Sequence, residues 1–236
     1  MTSFNLKIIA LITMFIDHIG SVIFPNHFYI RFIGRLAFPI YAFLISEGLK
    51  NTSNIKNYVK DLFILALISE LFYDICFNTS INLFYNTNTV YTLFLASISI
   101  YFYNKINTIT IKYLCLFLGI SLSYIFKTDY DILGVLLIYI FYFSKNKYNY
   151  LTYGIIWVNL KYLNNISSIL YSKFNTNMYL SNTYITNSLG LYLFTIIPFF
   201  IIFYYNGKKG KNIKYLFYLL YPLHLFILCI IKLFIL

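Results

Sequence analysis

Four ionisable residues lie within two strongly apolar stretches near the start of this 236-residue chain. Asp17 and His18 are adjacent in the first stretch, and Arg31 and Arg35, the only two arginines, follow in the second. A charge in hydrocarbon costs at least about 2.5–3.5 kcal/mol, so such residues are rare, paired and usually functional. A histidine beside a carboxylate is typical of a general base, and paired arginines suit carboxylates or developing oxyanions. These residue types predict His18 as a proton acceptor near an anion-binding pair.

Asp17 has two possible roles in this arrangement. It can orient the His18 imidazole or stabilise its charged form, as carboxylates beside catalytic histidines do. Because adjacent residues on a helix point about 100° apart, Asp17 can instead hold Arg31 or Arg35. The sequence leaves both roles open.

Two further pairs of polar residues lie in later apolar stretches. Glu70 and Asp74 share a helix face at i,i+4, and we expect this face to meet the arginine pair and to bind substrate. Tyr221 and His224 flank Pro222 at i,i+3 and are second candidates for proton transfer. The alternatives are structural: the two acids would form pairs that hold helices together, and His224 would be a hydrogen-bonded residue at a contact between helices.

Lys7 lies eleven residues before His18. Eleven helical steps return to nearly the same face with a rise of about 16 Å. A cation at the cytoplasmic surface and a histidine deeper in the membrane suit a long ligand with a phosphate head, a shape that coenzyme A has. The alternative is a snorkelling lysine that anchors the helix. Glu47 and Lys50 are most simply a surface pair, with a role at the cytoplasmic mouth as the other possibility.

The composition predicts an integral membrane protein. Hydrophobic residues make up 60% of the chain, charged residues only 11%, and the mean hydropathy is +0.73, whereas a soluble domain has about 25% charged residues. The net charge of +11 comes from lysines in short loops, which favours a role in topology over nucleic-acid binding. Cys76, Cys115 and Cys229 have no metal-ligand spacing, so we expect neither a metal nor a disulfide framework.

Nine apolar segments predict a single-domain, all-α, polytopic transmembrane bundle over residues 1–236. They are residues 7–24, 28–49, 58–77, 90–103, 111–126, 132–143, 150–163, 189–205 and 213–236. Lysine-rich loops follow the second, fourth, sixth and eighth segments, and the alternating loops are poor in lysine. By the positive-inside rule, the N-terminus is cytoplasmic and the C-terminus outside, in a plasma membrane that we expect to be bacterial. Residues 166–188 are predicted to form an outer polar loop.

At these residues the sequence resembles the TraX family of integral membrane acetyltransferases. The resemblance extends over nearly the whole chain, and only the combination of motifs is specific. Where the family expects a proline after Ser69-Glu70, this chain has Phe72 and Tyr73, which affects helix geometry more than chemistry. The matching stretches are Leu6-Lys7-Ile8-Ile9-Ala10, Ile16-Asp17-His18-Ile19-Gly20, Arg31-Phe32-Ile33-Gly34-Arg35-Leu36-Ala37-Phe38-Pro39, Ser46-Glu47-Gly48, Ala66-Leu67-Ile68-Ser69-Glu70 with Asp74, Asn88 with Thr92-Leu93, Asp129-Tyr130 with Gly134, and Tyr221-Pro222-Leu223-His224-Leu225.

The resemblance implies N-acetylation of a pilin subunit with acetyl-CoA as the acyl donor. The family is also similar to broader transmembrane acyltransferases, in which a lysine or arginine precedes a membrane-embedded histidine by the spacing of Lys7 and His18. We therefore expect an acetyltransferase whose donor approaches Lys7, Arg35 and Glu47 from the cytoplasm. The acceptor, a peptide N-terminus or a surface glycan, would approach from the outer side. The alternatives are a transporter with an intramembrane charge cluster and a non-catalytic pilus or secretion assembly protein.

Overall fold

The computed structural model describes residues 1–77, 85–174, 182–211 and 214–235. All the regular structure in these ranges is helical, which confirms the all-α prediction. The ten helices are α1 (Ser3–Val22), α2 (Ile30–Gly34), α3 (Ala37–Asn51), α4 (Ile55–Phe77), α5 (Thr89–Lys105), α6 (Ile109–Ile125), α7 (Asp131–Phe143), α8 (Lys147–Phe174), α9 (Asn182–Phe203) and α10 (Lys214–Ile235).

The second predicted segment is two helices, α2 and α3, separated at Arg35 and Leu36. Pro39 explains the break, because proline has no N–H to donate to the carbonyl of Arg35, four residues earlier. In the first turn of α3, where amides have no partner within the helix, the same proline is tolerated. The nine predicted segments therefore correspond to the ten helices, with α2 and α3 sharing one segment.

The predicted outer loop at residues 166–188 is wrong at both ends. α8 continues through residues 166–174, and α9 already begins at Asn182; residues 175–181 of that predicted loop lie outside the described residues. Many polar side chains here bond back to carbonyls of their own helix. Ser168 Oγ donates to the Asn165 carbonyl at 2.9 Å, and Thr186 Oγ1 donates to the Asn182 carbonyl at 3.0 Å. A composition rich in Asn, Ser and Thr is therefore compatible with helix here.

Four helical stretches in the described ranges are long and apolar enough to cross a membrane, as a membrane protein requires. They are Ser3–Val22, Ile30–Asn51, Asn182–Phe203 and Leu216–Phe234. α6 and α7 are apolar but shorter, and α4 carries Glu70 and Asp74 in its second half.

The described chain forms two compact units. The first contains residues 1–40 and 145–208, so it holds α1, α2, α8 and α9; the second contains residues 41–144 and 209–236, with α4–α7, α10 and most of α3. In the first unit, α1 packs on α2, α2 on α9 and α9 on α8. In the second, α5 packs on α4, α6 and α7, and α10 packs on α4. That the whole chain is one domain stays a prediction.

Contacts within each unit bring together the helix ends that the lysine pattern assigns to one side. In the first unit, the Met1 amine donates to the Tyr204 carbonyl at 2.7 Å, which joins the start of α1 to the end of α9. In the second, Lys50 Nζ at the end of α3 donates to the Phe141 carbonyl near the end of α7 at 2.8 Å. Both pairs are predicted to be cytoplasmic. The side of the membrane that each end faces stays a prediction.

Candidate functional site

The Asp17 carboxylate is bound by both arginines of the first unit. Its Oδ1 lies 3.7 Å from Arg31 Nε and 3.5 Å from Arg35 Nη2, and its Oδ2 lies 3.5 Å from the same Nη2. Of the two roles that the sequence left open for Asp17, the structure therefore shows the pairing with arginine. Arg31 lies in α2 and Arg35 follows its last residue, so one short helix presents both guanidinium groups to α1.

Gly34 allows α1 and α2 to approach this closely. A Cβ atom on Gly34 would lie 2.2 Å from Asp17 Cβ and 2.4 Å from Oδ1, distances that real side chains do not tolerate. Gly20 has a similar role on α1, where a Cβ would lie 2.7 Å from Ile30 Cγ2. The ion pairs thus depend on two glycines that leave room at the helix contact.

The arginine–aspartate cluster carries an excess of positive charge and is partly open. Two arginines and one aspartate leave one formal positive charge among the three. The side chains of Arg31, Arg35 and Asp17 are 38%, 18% and 17% exposed. The buried Arg31 Nε lies within ion-pair distance of Asp17 but forms no hydrogen bond. Such a cluster can accept an additional anionic group, such as a carboxylate or a developing oxyanion.

Lys7 and His18 both lie on α1, and each is half-buried. Their separation places them on nearly the same helix face, about 16 Å apart along the axis. His18 follows directly after Asp17, so the imidazole is carried by the same turn of helix as the ion pairs. The proton-transfer role of His18 and the phosphate-binding role of Lys7 stay predictions.

Glu70 and Asp74 belong to the second unit and are almost completely buried, at 0% and 1% exposure. Glu70 Oε2 accepts two hydrogen bonds from Asn88, from its main-chain N–H at 2.9 Å and from Nδ2 at 2.6 Å. The partner that the structure shows for Glu70 is therefore an asparagine. The predicted meeting of the Glu70 face with the two arginines stays a prediction.

Tyr221 and His224 contact each other on α10. Their rings are 5.4 Å apart between centroids and nearly perpendicular. His224 Nδ1 lies 3.0 Å from the Leu220 carbonyl, which accepts a hydrogen bond if that nitrogen carries the proton. The buried Tyr221 hydroxyl has no hydrogen-bond partner. Of the two, Tyr221 thus offers the polar group with an unused hydrogen-bonding capacity.

Glu47 pairs with Lys50 as the spacing predicts, with 3.6 Å between Oε1 and Nζ. Lys50 Nζ also donates to the Phe141 and Ser144 carbonyls at 2.8 and 3.4 Å. Lys50 therefore donates hydrogen bonds to carbonyl groups at the end of α7 that the helix itself leaves without a partner. A role for Glu47 in binding the acyl donor stays a prediction.

Sequence reasoning gave no role to two residues of these clusters, Gly34 and Asn88. Both occur in the stretches that carry the family resemblance. Asn88 also lies directly before an apolar segment, as helix-capping residues do, and its Oδ1 accepts from Val90 N–H at 2.7 Å. The cap was readable from the sequence, but the contact with Glu70 depends on tertiary structure. No group of three His, Cys, Asp or Glu side chains suited to a metal occurs in the ranges that the structure describes.

Comparison with known proteins gives a family model and a relative that each match nearly the whole chain. A family model described as "TraX protein" matches residues 3–232. The "Probable fimbrial assembly protein FimC, serogroup H1" of Dichelobacter nodosus is 26% identical over 99% of this chain and 96% of its own length. The "Uncharacterized protein RP591" of Rickettsia prowazekii (strain Madrid E) is 30% identical over 44% of this chain and 38% of its own length. No solved structure matches the chain.

Proposed function

This chain belongs to the TraX family, and from that premise we propose that it is a membrane-embedded acetyltransferase. It would move an acetyl group from cytoplasmic acetyl-CoA to an amine or hydroxyl at the outer side of a bacterial plasma membrane that it crosses several times. The acceptor class is a pilin-like peptide N-terminus or a surface glycan. The observation that carries the proposal is the Asp17 carboxylate held between Arg31 and Arg35, with His18 on the same turn of an apolar helix.

In the proposed reaction, His18 takes the proton of the attacking amine or hydroxyl. The acceptor's nitrogen or oxygen forms a bond to the acetyl carbonyl carbon, and the carbon–sulfur bond of the thioester breaks. The imidazolium of His18 returns its proton to the departing thiolate. Charge builds on the carbonyl oxygen during this step, and the excess positive charge of Arg31 and Arg35 stabilises it. The alternative is that His18 carries the acetyl group transiently.

The Asp17 carboxylate has a positioning role in this proposal. It holds the two guanidinium groups together in an environment where their repulsion would be costly, and it leaves part of their positive charge for the reaction. Lys7 binds a phosphate of the donor at the cytoplasmic side. Substrate binding by Glu70 and Asp74 and a second proton-transfer pair, Tyr221 and His224, remain part of the proposal from the sequence.

The direct test replaces His18 with alanine in a strain that lacks the chromosomal copy. Mass spectrometry of pili, surface proteins and glycans then measures acetyl groups that depend on this chain. We expect the acetyl adduct with the wild-type chain and with the control His27→Ala, and its loss with His18→Ala. An unchanged adduct with His18→Ala at wild-type protein levels rejects the role of His18.

The name of the Dichelobacter nodosus relative favours a second candidate, a non-catalytic factor in fimbrial assembly. Binding of the donor separates the two candidates. An acetyltransferase that binds acetyl-CoA is stabilised against heat by the donor in detergent, well beyond any effect of AMP. A chain that supports pilus assembly, shows no such stabilisation and changes no acetyl adduct is an assembly factor.

A further inference from the structure

The second unit contains a cluster of buried oxygen atoms that is separate in the chain from the arginine cluster. Its centre is Glu70, which is 0% exposed. Its Oε2 accepts hydrogen bonds from Asn88, whereas its Oε1 has no hydrogen-bond partner. Asp74 follows one helical turn later at 1% exposure. A buried carboxylate oxygen without a partner is costly, so it indicates a ligand.

Further unpartnered oxygens are buried in the same unit. The side-chain oxygens of Thr87, Tyr91, Thr92 and Tyr221 are all buried and have no hydrogen-bond partner. The Tyr91 hydroxyl lies within electrostatic range of both Glu70 and Asp74, and the Tyr221 hydroxyl lies within range of Glu70. Thr87, Tyr91 and Thr92 are close in the chain to Asn88, at the beginning of α5. The unpartnered atoms thus come from α4, α5 and its preceding turn, and α10.

The chemistry of this set favours a cation. All the unpartnered atoms are oxygens, and two carboxylates one turn apart repel each other unless a positive charge or a proton lies between them. Oxygen donors suit hard cations and ammonium groups, whereas soft transition metals prefer sulfur and imidazole.

The number of acids favours a single positive charge. In the part of the chain that the structure describes, no third acidic, His or Cys side chain joins the pair to form a metal-binding group. A divalent ion such as Ca²⁺ takes 6–8 oxygen ligands, typically with more carboxylate charge than Glu70 and Asp74 together supply. Neutral hydroxyls such as Tyr91 and Thr92 can complete the shell of an ion with lower charge.

We propose that Glu70, Asp74, Tyr91, Thr92 and Tyr221 form a buried binding site for a monovalent cation. The occupant is an alkali ion or the ammonium group of an amine, which share the same charge and the same need for oxygen acceptors. Glu70, Asp74 and Tyr221 also have roles in the proposed acetyl transfer, but cation binding does not require that reaction and is measured without it. A cation here compensates two buried acids and stabilises the packing of α4 against α5 and α10.

The test measures thermal unfolding of the detergent-purified chain in chloride salts of sodium, potassium and ammonium. N-methyl-D-glucamine chloride, whose cation is too bulky for a buried site, keeps the ionic strength constant. We expect at least one small cation to raise the melting temperature by about 3 °C or more at saturation. The shift is expected to disappear in Glu70→Gln and to persist in Asp61→Asn, a control on the same helix. In Tyr91→Phe, the apparent affinity falls about tenfold, the effect of losing one hydrogen-bonding ligand.

The salts also identify the occupant. A shift with sodium or potassium indicates an inorganic ion, and a shift with ammonium alone indicates an amine. Equal melting temperatures in all four salts overturn the proposal, as does a shift that persists in Glu70→Gln. If Glu70→Gln does not fold, Tyr91→Phe takes its place in the test. Its cation affinity is measured by binding of radioactive sodium or by thermal unfolding at increasing salt concentration. An affinity of Tyr91→Phe equal to that of the wild type overturns the proposed site.

Discussion

At the scale of residues, the arginine–aspartate cluster combines two guanidinium groups that repel each other with one carboxylate that neutralises only part of their charge. Arg31 and Arg35 would repel each other in an apolar helix pair, and the carboxylate of Asp17 reduces that repulsion without cancelling the charge. The remaining positive charge is what an anionic group or an oxyanion needs. One acidic side chain therefore affects both stability and the proposed chemistry.

Replacing Asp17 with asparagine should lower both stability and acetyl transfer. The variant keeps the side-chain size but leaves two guanidinium groups without their counter-charge, at a cost of about 1–2 kcal/mol. Thermal unfolding in detergent and the acetyl adduct measure the two effects. Asp131→Asn is the control, because Asp131 is exposed and has a positive φ of 48°, which asparagine also adopts. Equal losses in both variants would contradict a special role for Asp17.

Replacing Gly34 with alanine should act through Asp17. The added Cβ of alanine would overlap the Cβ of Asp17. α1 and α2 must therefore move apart, and the ion pairs between Asp17 and the arginines lengthen. We expect a fall in stability of about 1–3 kcal/mol, typical of overpacking, with reduced acetyl transfer. The control Ile33→Ala alters an exposed side chain of the same short helix. Wild-type stability in Gly34→Ala would show that the helices accommodate a methyl group there.

At the scale of elements, two local features position the polar groups. Pro39 interrupts the helical hydrogen bonds at the start of α3, so Arg31 lies in a separate short helix beside α1 and Arg35 directly follows that helix. Asn88 caps α5 through its side-chain oxygen and binds Glu70 through its two N–H groups. A break in one helix and the beginning of another thus decide where the charged side chains of each unit lie.

Replacing Asn88 with alanine should destabilise the beginning of α5 and the Glu70 carboxylate together. The variant loses the cap and the side-chain hydrogen bond to Glu70, for a combined cost of about 2–4 kcal/mol. The melting temperature in detergent measures it. Thr108→Ala is a matched control, since Thr108 is the corresponding residue of α6 and makes no side-chain capping bond. A larger effect in Thr108→Ala would contradict the assignment.

At the scale of the whole molecule, the positions of the lysines predict the topology. The contacts within each unit join helix ends that the lysine pattern places on one side, such as the start of α1 and the end of α9. With the odd number of membrane crossings that the sequence predicts, the two termini would lie on opposite sides. The donor and acceptor of the proposed reaction would likewise come from opposite sides of the membrane.

Labelling of single cysteines tests this topology. In a chain whose three cysteines are replaced by serine, Lys209→Cys should be protected from a membrane-impermeant maleimide in intact cells. Asp131→Cys should be labelled, because the positive-inside rule places it outside. Labelling of both after the cells are lysed is the control for reactivity. The reverse pattern in intact cells would mean that the protein has the opposite orientation.

The sequence by itself determined the helical class, the membrane environment and the family, because apolar length, low charge and motif combinations are properties of the chain alone. It also singled out Asp17, His18, Arg31 and Arg35, since charged residues are costly in apolar segments. Tertiary structure decided which of them pair: Asp17 with the arginines, and Glu70 with Asn88. It also extended α8 and α9 into a stretch whose composition indicated a loop. Pairing depends on how close two helices approach, and glycines such as Gly34 set that distance only once the partner helix is in place.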